Sequence, residues 1–155
     1  MIGSFNWISA HPDFRGVDPS AGTVEMGYGS RIGGRCYIDA SGLVRLGDYA
    51  CLGGTRCFVQ THQPDFDEYK QRVGMVSVGH HSLIGSCAVM LMGSALPEKS
   101  VLAANATLLK RRENERLESG LYAGSPAKWR RATKGDYFER SGVTMEGAIL
   151  DEPLG

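Results

Sequence analysis

Between Val78 and Leu109 the chain carries an apolar residue at every sixth position, Val78, Ile84, Met90, Leu96, Leu102 and Leu108. A small residue follows four positions later at Ser82, Ala88, Ser94, Ser100 and Ala106. A helical face needs apolar residues at 3.6-residue spacing and a half-buried strand needs strict alternation. A run locked to six therefore predicts a solenoid, in which no coil buries its apolar face alone and each stacks on the next. The same period appears upstream at Met26, Ile32 and Ile38, slips by two residues at SGLVR, and resumes at Leu46, Leu52 and Phe58. This phase puts Arg56 at a small-residue position, pointing outward, and Cys36 and Cys87 at interior positions. The period fails over residues 1–25, read as an irregular cap, and over 60–77, read as a loop thrown out from the solenoid. It fails again after residue 124, where Ser125-Pro126 before AKWRRA has the form of a helix start. The expected organisation is a cap (1–25), a solenoid (26–124) and a closing segment with a short helix and tail (125–155).

Composition narrows the picture. The chain has 155 residues, enough for a core without disulfides or a structural metal. Its 17 basic and 17 acidic residues leave no global field to attract nucleic acid. Cys36, Cys51, Cys57 and Cys87 contain no CxxC pair, and free thiols suit a reducing cytoplasm. No apolar run is long enough for a membrane span, and the first residues lack the basic and apolar regions of a signal peptide. His62 stands at the base of the 60–77 loop, and long loops on rigid scaffolds tend to carry function. His11, beside Pro12 in the lead-in, reads as a turn or surface residue.

The succession of an aliphatic residue, Gly or Asp, and then a small residue resembles the hexapeptide-repeat acyltransferases. YAGSPAKWRR, Tyr122 to Arg131, is similar to the segment that closes their last coil. The resemblance covers roughly Met26 to Arg131 and implies an all-β fold, a left-handed parallel β-helix with three short strands per triangular coil. It also implies acetyl-CoA as acyl donor and transfer to a hydroxyl of a sugar or surface-polysaccharide precursor, with N-acetylation of an amino sugar nucleotide or a non-catalytic scaffold as alternatives. On the matching positions, Thr61-His62 supplies the general base and Ser86, in Ile84-Gly85-Ser86, the backbone donor for the oxyanion. Ala104, Lys110, Ala123, Gly124, Ser125, Pro126 and Lys128 line the coenzyme groove. Asp65, Asp67 and Glu68 on the loop are acceptor contacts, and the family's assembly implies a homotrimer.

Leu83, Asn105 and the long 111–120 loop depart from the family's usual Trp, Gly and Pro-rich connection, which alters the groove and not the fold. The basic run at Lys110 to Arg112, followed by ENERLES, also has the form of a solvated charged turn or short helix. Gamma-class carbonic anhydrases share this β-helix and bind zinc through three histidines. Here the spacing from His62 to His80 is too long for that set, and adjacent His80 and His81 would point to opposite faces of a strand. No metal is expected.

Overall fold

A computed structural model of the chain describes residues 1–114, 117–145 and 147–151. Its strands are short. The first coil holds β1 (Trp7–Ser9) and β2 (Thr23–Met26), and the second β3 (Arg31–Ile32), β4 (Tyr37–Asp39) and β5 (Leu43–Leu46). The third holds β6 (Cys51–Leu52) and β7 (Phe58–Gln60), an excursion of β8 (His62–Asp65) and β9 (Lys70–Val73), and β10 (Met75–Val78). Above it lie β11 (Leu83–Ile84), β12 (Val89–Met90) and β13 (Ala95–Leu96), then β14 (Val101–Leu102) and β15 (Thr107–Leu108). β16 (Leu121–Ala123) and β17 (Lys128–Arg131) close the stack.

Strands of successive coils stack in parallel on three sides, with β17 added antiparallel at the end of one and the β8–β9 pair standing apart. Side one is the six-stranded sheet β3-β6-β11-β14-β16-β17, side two is the five-stranded sheet β1-β4-β7-β12-β15, and side three is the four-stranded sheet β2-β5-β10-β13. The result is a left-handed parallel β-helix. Ile32, Leu52, Ile84 and Leu102 point inward from side one, Ile38, Val59, Met90 and Leu108 from side two, and Leu46, Val78 and Leu96 from side three, all buried. Each contributes about 1.5–3 kcal/mol when fully buried. Cys36, Ala50, Cys57, Ser82, Ala88, Ser100 and Ala106 fill the narrow corners between them.

The first corner, from side one to side two, and the third, from side three to side one, are tight and repetitive. Each turns on one residue in the left-handed region: Phe5, Arg35, Arg56, Cys87 and Asn105 at the first, Gly29, Tyr49, His81 and Lys99 at the third. For a residue with a Cβ this costs about 1–2 kcal/mol. The corner N–H groups offset it by bonding down the stack, Lys99 N to His80 O at 2.8 Å, His81 N to Asp48 O at 2.9 Å and Tyr49 N to Tyr28 O at 2.7 Å. His80 and His81 are thus corner residues. His80 Nδ1 accepts from Asp48 N at 2.9 Å, and the His81 ring stacks on Tyr49 at 4.8 Å.

Several expectations change. One extra residue in the turn after Leu52 shifts the phase, so Val59 points inward in place of Phe58, and Cys57 fills the small position assigned to Arg56. Cys87 is a corner residue and exposed; Cys36 and Cys57 are the buried thiols. Residues 1–25 already belong to the stack, since Ile2 bridges Ile32, β1 pairs with β4 and β2 with β5. The 60–77 excursion is an antiparallel hairpin whose base closes where Gly74 N donates to Thr61 O at 2.9 Å. The helix expected from Ser125-Pro126 does not form. The Ser125-Pro126 peptide is cis, and β17 instead pairs antiparallel with β16, satisfying an edge that the last coil would leave open. ENERLES contains Glu115 and Arg116, which lie outside the described residues, as do residues 152–155 of the tail.

The tail runs back along the third corner. Glu139 pairs with Lys99 at 2.7 Å, the Arg140 guanidinium lies 4.0 Å from the Tyr137 ring centre and 5.9 Å from that of Tyr49, and Tyr49 donates to Ser141 O at 2.7 Å. Phe138 is buried beneath this strap. Among the described residues no helix is long and apolar enough to cross a membrane.

Candidate active site

The three long insertions fall on the second corner, from side two to side three. In the first coil it carries the 3-10 turn Pro12–Gly16, in the third the β8–β9 hairpin, and in the last the run between β15 and β16, whose described residues form no side-three strand. The plain second coil between the first two insertions turns at Ala40-Ser41-Gly42. There a Cβ on Gly42 would lie 1.9 Å from Gly74 O, so the hairpin base can sit down only on glycine.

Asp39 ends β4 at this corner and is 5% exposed. Its Oδ1 accepts from Ser41 N at 3.0 Å, and its Oδ2 from Thr61 N at 2.8 Å, His62 N at 3.1 Å and His62 Nδ1 at 2.7 Å. Burial pushes the Asp39 carboxyl upward, but the donors from Ser41, Thr61 and His62 outweigh it and hold the group below its ordinary value. An ionised carboxylate only accepts, so His62 carries a hydrogen on Nδ1, and in the neutral imidazole Nε2 is then the atom with the lone pair. Thr61 is the fastener. Fully buried, its hydroxyl accepts from Gly42 N at 2.7 Å and donates to Asp39 O at 2.8 Å.

His62 lines a cleft of about 640 Å³ between the N-terminal turn and the hairpin, with Phe14, Ser41, Gln60 and Gln71 among its walls. A second cleft, about 1010 Å³, opens at the end of the solenoid. Lys110, Arg111, Arg112 and Lys128 line it against Glu113 and Glu118, with Pro126 and Trp129 at its side. The two clefts share a corner: Val59 and Leu108, each two residues before Thr61 and Lys110, are both in register with Met90 of the coil between them, so the two strands stand two spacings, about 10 Å, apart along the axis. Gly93 lies between. With φ +82° and Lys110 Cγ 2.7 Å from where a Cβ would stand, it lets the Lys110 stem pack close against the backbone.

The remaining candidates are distributed differently. Ser86 and Ala104 sit at the first corner, across side two from His62. Ser86 Oγ accepts from Thr55 N at 3.2 Å and Ser86 O from Asn105 N at 3.0 Å. Ser86 and His62 therefore do not meet within one chain. Ala123, Gly124 and Ser125 lie over the last coil, where Gly124 O accepts from Thr107 N at 3.0 Å and Ser125 Oγ donates to Thr107 Oγ1 at 2.9 Å. At the hairpin tip Asp65 pairs with Arg72 and accepts from Asp67 N and Glu68 N, and Glu68 pairs with Lys70 at 3.2 Å. Hydrogen bonds from Glu68 N and Arg72 hold the Asp65 carboxyl below its usual range. Asp65 and Glu68 thus stiffen the arm, while Phe66 and Tyr69 project from its tip nearly fully exposed.

Sequence reasoning did not single out Asp39, which looked like an ordinary repeat position. It also set His11 aside and did not single out Phe14. Phe14 lies 5.5 Å from the His62 ring, centre to centre. An Asp in the slot after an inward Ile, one coil below a Thr-His pair, is the signal that was available.

No protein-family model and no curated protein matches the chain. Solved structures do. A maltose O-acetyltransferase from Clostridium difficile 630 superposes with a TM-score of 0.65 at 11% identity, over 87% of this chain and 68% of that one. A hexapeptide-repeat acetyltransferase from Vibrio cholerae, solved with acetyl coenzyme A, gives 0.61 at 16% identity over 86% and 70%. An N-acyltransferase from Bacillus cereus, solved with dTDP and coenzyme A, gives 0.54 at 18% over 89% and 86%. The chain has the fold of the hexapeptide-repeat acetyltransferases. At these identities the likeness concerns the β-helix. The chemistry has to be argued from the second corner itself.

Proposed function

We propose that this chain is a cytoplasmic acetyl-CoA-dependent O-acetyltransferase that acylates a hydroxyl of a sugar or surface-polysaccharide precursor. The observation that carries the reading is His62, fixed through Nδ1 on ionised Asp39 and leaving Nε2 as a base in a cleft. A sugar hydroxyl is a poor nucleophile at neutral pH, and a positioned imidazole can take its proton as the oxygen attacks. The C–O bond then forms, the C–S bond breaks, and the proton held on Nε2 passes to the leaving thiolate. No acyl-enzyme is required. The basic cleft supplies the other half, since Lys110 and Lys128 are suited to the phosphates of coenzyme A.

The split between corners bears on assembly. His62 stands at the second corner, and Ser86 and Ala104 stand at the first, so a backbone donor from Ser86 reaches His62 only from another copy. We take the working unit to be a homotrimer with its site between subunits. Side two supports this: Trp7 and Tyr37 stack at 6.2 Å, Tyr37 and Phe58 at 5.3 Å, and Trp7 remains 65% exposed. The buried free thiols Cys36 and Cys57 suit a reducing compartment.

The test is a calorimetric titration with acetyl-CoA, with ATP as control, followed by acceptor screening of wild type against His62→Ala. Saturable binding of acetyl-CoA but not ATP, with turnover lost in the variant, is the expected result. Absence of acetyl-CoA binding would overturn the reading.

A further inference from the structure

The His62 cleft has a wall that the catalytic account leaves unused. His11 N donates to Ser41 Oγ at 3.1 Å, Gly22 N donates to Ser41 O at 3.2 Å, and Val17 N and Asp18 N both return to Phe14 O. These bonds pin the turn to the second coil, so it is part of the scaffold and not a loose end. Phe14 is the hinge of an aromatic row, with His62 at 5.5 Å and 40° on one contact and His11 at 5.8 Å and 64° on another. All three rings line the cleft, so a small molecule bound beside His62 has this row as one of its walls.

The chemistry of the lining is also selective. Beside the rings stand hydroxyls and amides, Ser9, Ser41, Gln60 and Gln71. Two carboxylates line the cleft, buried Asp39 hydrogen-bonded to His62 and exposed Asp13, 3.6 Å from His11, and among the described residues no lysine or arginine lines it. The coenzyme cleft on the same corner is basic, so the contrast is local and not a property of the whole chain. Phosphate groups are held by arginine, lysine or clustered N–H donors, and an acidic rim repels them. Amides, hydroxyls and an aromatic face suit the alternating hydroxyl and C–H surfaces of a sugar ring.

We infer that the turn from His11 to Phe14 selects the acceptor: Phe14 receives an uncharged, polyhydroxyl saccharide, and Asp13 turns away its phosphorylated counterparts, including nucleotide-linked sugars. The inference rests on the transferase reading for the location of the reaction, but its binding measurement does not need coenzyme.

The experiment is ligand-observed saturation-transfer NMR on the full chain, using methyl glycosides of the common hexoses and their 6-phosphates as probes. At least one methyl glycoside should bind while its phosphate does not. Phe14→Ala should weaken that binding by about tenfold, with Phe14→Tyr restoring it and guarding against a folding defect. Asp13→Lys changes an exposed side chain and should raise binding of the phosphate by about fivefold. Phosphates that bind wild type as well as the glycosides do, or glycoside binding unchanged by Phe14→Ala, would overturn the inference. So would the failure of every glycoside to bind. An acetyl-CoA titration run in parallel reports separately on the donor site, so loss of one reading is distinguishable from loss of the other.

Discussion

The second and third corners of this solenoid are built from the same repeat and do opposite work. The third turns on single left-handed residues, bonds each coil to the next, and is covered by the returning tail. The second has three insertions, the proposed base His62 and two clefts of contrasting charge. A repeat scaffold can carry an insertion at any corner that the remaining sides keep rigid. Placing all three on one edge leaves the other two free to hold the stack. Stability and chemistry are therefore separable here, and substitutions should respect the division.

The sharpest test of the active edge is His62→Ala, expected to lower turnover by about 100-fold or more with acetyl-CoA affinity nearly unchanged, as read by steady-state kinetics beside calorimetry. Asp39→Asn should be the next largest, because it crosses the division. It removes the charged acceptor shared by Thr61 and His62, and chemical denaturation at pH 7 should show a loss of about 1–3 kcal/mol. Asp39 is depressed in the folded state, so its contribution is present above the unfolded carboxyl value and disappears as pH falls through the folded one. The gap between wild type and Asp39→Asn should accordingly hold at neutral pH and shrink below about pH 4, and a gap independent of pH would mean that Asp39 is not held as the anion. Lys128→Glu should weaken acetyl-CoA about tenfold and leave saccharide binding alone. On the opposite edge, Arg140→Ala should cost about 1 kcal/mol and lower Tm by a few degrees, with kcat/KM unaltered. A kinetic defect there would show that the strap reaches the active edge.

How much of this was legible depended on periodicity. The inward positions from Val78 to Leu108 and the coil order follow from spacing alone, because each residue meets the same environment one coil later. Phe58 was misassigned for the same reason: a single extra residue before Cys57 moves the phase by one, and in the sequence Phe and Val serve equally as the apolar residue. His62 was readable because it interrupts the pattern. Asp39 was not, since its partners Thr61 and His62 are distant in sequence and a corner Asp resembles any other. The Ser125-Pro126 helix start was outweighed by an open strand edge, which only the assembled side one reveals. Phe14 and Asp13 were hidden in a segment without a period, and their meaning comes from lying two coils from His62 on one corner.

The account stands most directly on the pairing of acetyl-CoA binding with turnover in two variants measured together. If the second corner divides donor from base as described, His62→Ala will bind acetyl-CoA like wild type and fail to turn over, while Lys128→Glu will lose affinity and retain turnover at saturating donor. Equal loss of acetyl-CoA affinity in both variants, or wild-type turnover in His62→Ala, would contradict it.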